Sequence, residues 1–165
     1  DKYYQIILIL IYTGLRIEEL LSLKKENVHL DEHYLDVKKS KTKSGIRKVP
    51  ISDYIFPLVK NWYESSHCTH LLHTEEQKPF KYRNYYDSYF VPLMEQLGFD
   101  QTPHCCRYTC ISLLAEEKVS PTFIKLIVGH KGAMNLTEKV YTHIDMKLLI
   151  DAVNNIYYPK SVKGN

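Results

Sequence analysis

The chain has 165 residues, and its 44% apolar content is enough to bury the core of one ordinary domain. The net charge of +3 is modest and does not by itself indicate a nucleic-acid partner, because many soluble enzymes carry as much. The longest strongly apolar run, from Ile6 to Tyr12, is far too short to cross a bilayer and lacks the layout of a signal peptide. We therefore expect a soluble, intracellular protein.

Two helices are predicted at the start of the chain. Residues 2 to 12 have helical periodicity that ends at Gly14, because glycine readily adopts the left-handed conformation found at helix ends. The next stretch, RIEELLSLK, places its apolar residues at helical spacing and predicts the second helix. Arg16 and Glu19 lie three positions apart, so they are neighbours on another face of that helix and could simply form an ion pair.

A basic β-hairpin is predicted between Tyr34 and Ile51. Apolar residues alternate with polar ones around Leu35 and Val37, and the alternation resumes at Val49 after turn-forming residues. The connecting segment KKSKTKSGIRK carries cations and no acid, which suits either a solvated loop or contact with an electronegative polymer. Its cations are Lys38, Lys39, Lys41, Lys43, Arg47 and Lys48.

Helical periodicity returns over residues 53 to 64 and 82 to 97. The second of these segments carries aromatic residues along one side, which we interpret as core packing and not as a platform for stacking bases. The aromatic residues are Tyr82, Tyr85, Tyr86, Tyr89 and Phe90.

A further helix is predicted to start at Thr102, whose hydroxyl is a suitable N-cap, with Pro103 at the first helical position. His104 and Arg107 then lie in the first turn and point the same way. The N-terminus of a helix favours an anion, so this pair is a candidate anion-binding site.

Ser120 and Pro121 repeat the same start, and Gly129 is predicted to end the helix that follows. His130 is thereby held just beyond a helix end. An amphipathic segment over residues 146 to 156 predicts a last helix, with an apolar stripe of Leu148, Leu149, Ala152, Val153 and Ile156.

The segment HCTHLLH suggests a zinc site as one hypothesis, because it contains His67, Cys68, His70 and His73. The spacing matches no common zinc-finger pattern, and no second ligand pair stands at the usual distance, so we expect no metal site. The other cysteines are interpreted as reduced packing residues of a helix, and they are Cys105, Cys106 and Cys110.

Transfer of a phosphodiester to a protein side chain needs an aimed oxygen, cations on the nonbridging oxygens and a proton donor for the leaving oxygen. Two arginines form the natural clamp, because each guanidinium offers a planar fork of donors that matches phosphate. Arg16 and Arg107 are the candidates for this clamp.

Taken in order, these residues resemble the catalytic domain of the tyrosine recombinases, the phage-integrase family. Four segments carry the resemblance, in the family's order and spacing, namely YTGLRIEELLSL, SKTKSGIRKVPI, TPHCCRYTCISLL and VGHKGAMNLTEKVYTHID. The chain looks most like the integrases of conjugative transposons and temperate phages. The resemblance covers essentially the whole chain.

The resemblance implies a mainly α-helical α+β fold, the tyrosine recombinase catalytic-domain fold, with a small antiparallel β-sheet or hairpin. Residues 1–145 would form the catalytic domain, and residues 146–165 would form a C-terminal helix and tail that could dock on a neighbouring protomer. The first residue is Asp1 and not Met, so we expect N-terminal arm-binding and core-binding domains to precede this chain.

The resemblance also implies roles for the site residues. The nucleophile would be Tyr141, which forms a 3'-phosphotyrosyl link to DNA. Two arginines would clamp the phosphate (Arg16 and Arg107), two histidines would donate hydrogen bonds or move protons (His104 and His130), and Glu19 would support Arg16. A hairpin lysine would be the general acid, either Lys41 or Lys43, and further DNA contacts would come from Lys38, Lys39, Arg47 and Lys48.

The implied function is site-specific recombination of a mobile element in the bacterial cytoplasm, with neither a cofactor nor ATP. The implied partners are double-stranded DNA and further copies of the chain, as a tetramer on two DNA sites, with directionality or host DNA-bending factors assisting. Two alternatives stay open: a type IB topoisomerase, and a DNA-binding module of the same fold without catalysis. One departure from the family pattern is the pair Cys105 and Cys106, where the family usually has an acid and an aliphatic residue.

Overall fold

The computed structural model describes residues 1–130 and 144–156 of the chain. Over these residues it is mainly helical with a small antiparallel sheet, so the predicted α+β class is confirmed. The first elements are a 3-10 turn (Lys2–Tyr4), helix α1 (Gln5–Thr13), helix α2 (Ile17–Leu21) and a second 3-10 turn (Lys25–Asn27). The second helix ends earlier than its apolar pattern predicts.

The predicted basic hairpin is present. Strands β1 (Val28–His29), β2 (Tyr34–Val37) and β3 (Arg47–Pro50) form a sheet in the order β1-β2-β3, with antiparallel pairing throughout. Strand β2 pairs with β3 so that Val37 lies opposite Arg47. Between these strands the chain forms a 3-10 turn at Lys43–Gly45, which is the tip of the hairpin.

The next elements are α3 (Phe56–Ser65), α4 (Tyr82–Tyr85), a π-helical turn (Tyr86–Phe90) and α5 (Val91–Leu97). The predicted helix over residues 82 to 97 is therefore interrupted. Pro92 explains this, because it has no amide hydrogen to donate to the preceding turn. Tyr85 and Phe90 are buried in the core as predicted, whereas Tyr82 is exposed and stacks on Tyr86.

The remaining helices are α6 (Pro103–Glu116), α7 (Pro121–Val128) and α8 (Met146–Asn154). Ser120 caps α7 as predicted, since its side chain accepts a hydrogen bond of 3.2 Å from the amide of Phe123. Thr102 occupies the N-cap position of α6, but its hydroxyl lies 3.5 Å from the sulfur of Cys105 and does not cap the helix.

Helix α8 packs on its own domain, against β3 and α7. Four residues of the predicted stripe are buried, namely Leu149, Ala152, Val153 and Ile156. Leu148 does not belong to this stripe, because 49% of its surface is exposed. No helix of the described ranges combines the length and the apolar character that a membrane span requires.

Helix α1 lies at the centre of the core, where Ile6, Ile9 and Leu10 are fully buried and α6 packs alongside. The helix ends at Gly14, whose φ of 68° reverses the chain towards α2. A Cβ atom on Gly14 would lie only 2.6 Å from Val128 Cγ1, so this glycine permits the ends of α1 and α7 to meet. Two predicted site residues follow these helix ends, Arg16 after α1 and His130 after α7.

Gly14→Ala is expected to destabilise the protein more than Gly98→Ala, although the two glycines have similar φ angles of 68° and 71°. At Gly98 a Cβ meets nothing within 4 Å, so the free energy of unfolding falls only by the cost of the left-handed conformation, about 1 kcal/mol. At Gly14 the overlap with buried Val128 adds about 1–3 kcal/mol. Urea unfolding of both variants measures the difference, and equal losses would contradict the packing argument.

Candidate active site

Arg16 sits at the junction of α1 and α2, where its backbone amide donates a 2.9 Å hydrogen bond to Glu19 Oε1. Its Nη1 atom lies 3.5 Å from Glu19 Oε2 and 3.5 Å from Ser40 Oγ. The side chain keeps 17% of its surface exposed. The guanidinium of Arg16 is therefore held from behind but can still meet a ligand from solvent.

Arg107 comes from the first turn of α6 and is buried, with 3% of its surface exposed. Its Nη1 donates to the carbonyl oxygen of Gly14, at 3.0 Å, and to that of Val128. Burial lowers the pKa of Arg107 to about 10, and the charges of Arg16 and Arg47 contribute to the shift. The two predicted clamp arginines are therefore close enough for their charges to interact.

Glu19 is the buried carboxylate among the described residues. Its closest cation is Arg47, which donates from Nη1 to Oε2 at 3.0 Å and from Nη2 to Oε1 at 3.3 Å. Burial raises the pKa of Glu19, but the hydrogen bonds and charge of Arg47, with the Arg16 amide, outweigh this and leave the pKa below its ordinary value. Glu19 therefore stays ionised and contacts both arginines, not only Arg16.

Arg47 differs most from its predicted role. A DNA contact needs an exposed guanidinium, yet only 6% of this side chain is exposed. The reason is its position on β3, where it shares a face with the buried Val49 and turns inward towards Glu19. We correct the assignment of Arg47 from a DNA contact to a buried ion-pair partner.

The two histidines lie at the rim of the cluster and are exposed. His104 contacts the ring of Tyr108 edge-on, with 4.8 Å between ring centroids. Burial lowers the pKa of the His104 imidazole, and nearby cations lower it further, in the order Arg107, Arg16 and Lys41. These effects favour the neutral imidazole of His104 over the cation. His130 follows Gly129, which ends α7 with a φ of 64° as predicted.

Lys41 is close enough to His104 for its charge to contribute to the lowered His104 pKa. Its Nζ forms an exposed ion pair with Glu18, at 3.6 Å from Oε2. Lys43 is exposed in the hairpin tip, and the other hairpin lysines, Lys38, Lys39 and Lys48, are also exposed. Tyr141 lies outside the described residues.

One residue of the cluster was missed by the sequence reasoning. The Oγ atom of Ser40 lies 3.5 Å from Arg16 Nη1. A hydrogen bond from the Ser40 side chain to Glu19 helps to lower the Glu19 pKa. A Cβ on Gly45 would lie 1.8 Å from Ser40 Oγ, so the hairpin folds tightly over this serine. A serine between lysines carries no signal for such a contact.

A sequence profile of the phage integrase family matches residues 2–147. The chain belongs to the phage integrase family. The predicted family and catalytic-domain fold are thereby confirmed.

This phage-integrase domain is similar to curated recombinases in sequence and to solved integrases in fold. Tyrosine recombinase XerA of Thermococcus kodakarensis is 30% identical over 148 residues, which cover 87% of this chain and 51% of that protein. The Tn1549 transposon integrase, solved in complex with a circular intermediate DNA, aligns with a TM-score of 0.70 at 19% identity, over 97% of this chain and 55% of that one. The lambda integrase tetramer bound to a Holliday junction aligns with a TM-score of 0.64 at 20% identity, over 81% and 42%. The chain spans about half the length of the curated relatives it matches.

The cysteines of this phage-integrase domain are free thiols. Cys106 and Cys110 are buried, and burial raises their pKa values to about 11 and about 12, so they are packing residues as predicted. Cys105 is half-buried, and hydrogen bonds from Thr102 lower its pKa.

Two side chains that the zinc hypothesis would use as ligands contact protein groups instead. His73 is buried and shares a 3.0 Å hydrogen bond with Ser65, while the sulfur of Cys68 faces the carbonyl of His70 at 3.7 Å. Over residues 1–130 and 144–156, no three potential metal ligands converge.

Glu19→Gln is expected to lower the free energy of unfolding by about 3–5 kcal/mol at pH 7, because it leaves buried Arg47 without its charge partner. A carboxyl with a lowered folded-state pKa stabilises the fold above its unfolded value of about 4.3, and this contribution disappears as pH falls through the folded value. The difference in unfolding free energy between wild type and Glu19→Gln should therefore shrink as the pH falls. Urea unfolding from pH 7 to pH 3 measures it.

Glu18→Gln is the matched control, because Glu18 keeps 56% of its side chain exposed and its ion pair among the described residues is with exposed Lys41. Its loss should change the unfolding free energy by less than about 1 kcal/mol at any pH. Equal effects at the two positions would contradict the central place of Glu19.

Proposed function

We propose that this chain cleaves and rejoins DNA by transferring a phosphodiester to Tyr141, as the catalytic domain of a site-specific recombinase. One observation carries the proposal: the charges of three guanidinium groups, those of Arg16, Arg47 and Arg107, act on Glu19, the buried carboxylate of the described residues. The formal excess of positive charge is matched by a phosphodiester, which carries one negative charge and gains another in the transition state.

The residues of this cluster divide the chemistry between them. Arg16 and Arg107 would hold the nonbridging oxygens, and neutral His104 would donate a ring hydrogen to one of them. The phenolic oxygen of Tyr141 would attack phosphorus and lose its proton, while the bond from phosphorus to the 5'-oxygen breaks and that oxygen leaves with a proton from Lys41. His130 would help to move the phenolic proton to solvent or would donate a hydrogen bond. A 5'-hydroxyl that attacks the phosphotyrosine would reverse these steps. Because one phosphodiester replaces another, the exchange needs no ATP.

The substrate class that fits is double-stranded DNA, with exposed Lys38, Lys39 and Lys48 available for backbone phosphates. The complexes of the Tn1549 and lambda integrases with DNA support this choice. We extend the proposal to a homotetramer on two sites that integrates or excises a mobile element. Since α8 buries its stripe in its own domain, the segment after Ile156 is our candidate for contact with an adjacent protomer.

Covalent capture of DNA tests the function. Wild-type protein and Tyr141→Phe are mixed with nicked duplex DNA carrying the ends of the protein's own element, in EDTA, and run on a denaturing gel. An adduct with wild type alone is expected. Specific binding without any adduct would instead favour a non-catalytic binding module, and plasmid relaxation without exchange between two sites would favour a type IB topoisomerase.

The general acid is tested with a substrate that has sulfur in place of the bridging 5'-oxygen at the cleaved phosphate. A thiol has a pKa of about 8.5, so its thiolate leaves without protonation. Lys41→Ala is expected to slow cleavage of ordinary DNA by about 10²–10⁴-fold. On the sulfur substrate its cleavage rate should return towards that of wild type. If Lys43→Ala shows this rescue and Lys41→Ala does not, the assignment moves to Lys43.

A further inference from the structure

Arg47 is the most highly connected buried cation of the described residues, and neither the proposed phosphate clamp nor the proposed DNA contacts use it. Its Nε donates 2.8 Å to the carbonyl oxygen of Ile127, its Nη1 donates to the carbonyl oxygen of Gly45, and both Nη atoms donate to Glu19. One guanidinium therefore joins three elements: the tip of the hairpin, the start of α2 and the end of α7.

Each of these elements carries a different part of the candidate site. The hairpin presents Lys41, the start of α2 presents Arg16, and the end of α7 leads through Gly129 into His130. A displacement of the hairpin would move Lys41 without moving Arg16 or Arg107, which lie on other elements.

Close packing around Gly129 supports the same conclusion. A Cβ atom there would lie 2.7 Å from the carbonyl oxygen of Ser44 and 2.8 Å from Arg47 Nη1. The backbone of the hairpin tip thus rests directly on the residue before His130. The other polar ties of the hairpin are weaker, since the Lys41–Glu18 pair is exposed and the Arg16–Ser40 contact is 3.5 Å long.

We propose that Arg47 is a positioning residue, which holds the hairpin so that Lys41 can protonate the leaving 5'-oxygen. This proposal rests on the proposed function. Arg47 acts through Lys41 and does not touch DNA. An arginine is required because its planar fork donates in three directions at once, whereas the single nitrogen of a lysine cannot reach Ile127, Gly45 and Glu19 together.

The test compares Arg47→Lys, which keeps the charge, with wild type on nicked DNA under saturating single-turnover conditions. Cleavage of ordinary DNA is expected to fall by about 10²-fold, because a misplaced catalytic group costs about this much. On DNA with sulfur at the bridging 5'-position the rate should return to within about 3-fold of wild type, since that leaving group needs no proton. A merely structural loss would slow both substrates equally.

Two other variants separate positioning from DNA contact. Arg83→Lys makes the same change at an arginine whose side chain is 80% exposed, and it should leave both rates unchanged. Lys48→Gln should show the behaviour of a backbone contact, with weaker binding and a salt slope reduced by about 1. Arg47→Lys should bind DNA with the wild-type affinity and salt slope.

Several results would overturn the proposal. They are a loss in Arg47→Lys that sulfur does not rescue, an unchanged rate on ordinary DNA, or a reduced salt slope. If circular dichroism shows that Arg47→Lys is unfolded, Gly129→Ala replaces it, because the added methyl pushes against Ser44 and Arg47 and should give the same rescue; an unrescued loss there rejects the idea. Absence of an adduct with wild type would count against the proposed function itself.

Discussion

The carboxylate of Glu19 is the interaction on which the rest of the site depends. It accepts two hydrogen bonds from Arg47 and one from the Arg16 amide, and it lies close to the Arg16 guanidinium. Like charges about 4 Å apart repel by about 4 kcal/mol at an effective dielectric constant near 20. Glu19 offsets part of such repulsion, so this buried acid helps to hold the cations close together.

Backbone carbonyls supply the second source of negative potential. The last carbonyls of a helix have no partner within the helix and carry the negative end of its dipole. Arg107 donates to Gly14 at the end of α1 and to Val128 at the end of α7, and Arg47 donates to Ile127 in the same last turn of α7. The arginines thus satisfy the two helix ends, and the helix ends fix the arginines. Glycine at both ends permits this convergence, since each has a positive φ.

Local patterns predicted the elements that carry the site. The first turn of α6 brings His104 and Arg107 together, and the alternation around the hairpin predicted β2 and β3, because these signals depend only on nearby residues. The π-helical turn follows from the missing amide hydrogen of Pro92, which is a local signal. The exposed position of Leu148 depends instead on where β3 and α7 approach α8. Long-range packing of this kind leaves little trace in sequence spacing.

Arg47 shows where a usable signal was overlooked. It stands two residues before Val49 and four before Ile51, and alternate residues of a strand share a face, so a basic residue there had to point into the core. Lys48, one position on, is exposed. What the alternation could not give is the partner, because Glu19 is 28 residues away in sequence.

The contrast between the arginines explains how a site so rich in cations can persist before any ligand arrives. The Arg47 side chain is paired with Glu19, and both Arg47 and Arg107 donate to helix-end carbonyls, whereas Arg16 retains 17% exposure and only a 3.5 Å contact to the carboxylate. An anion that reaches the site therefore meets Arg16 first and replaces little existing hydrogen bonding. Preorganised donors of this kind need no rearrangement as negative charge develops, which is the condition under which electrostatic stabilisation of a transition state is greatest.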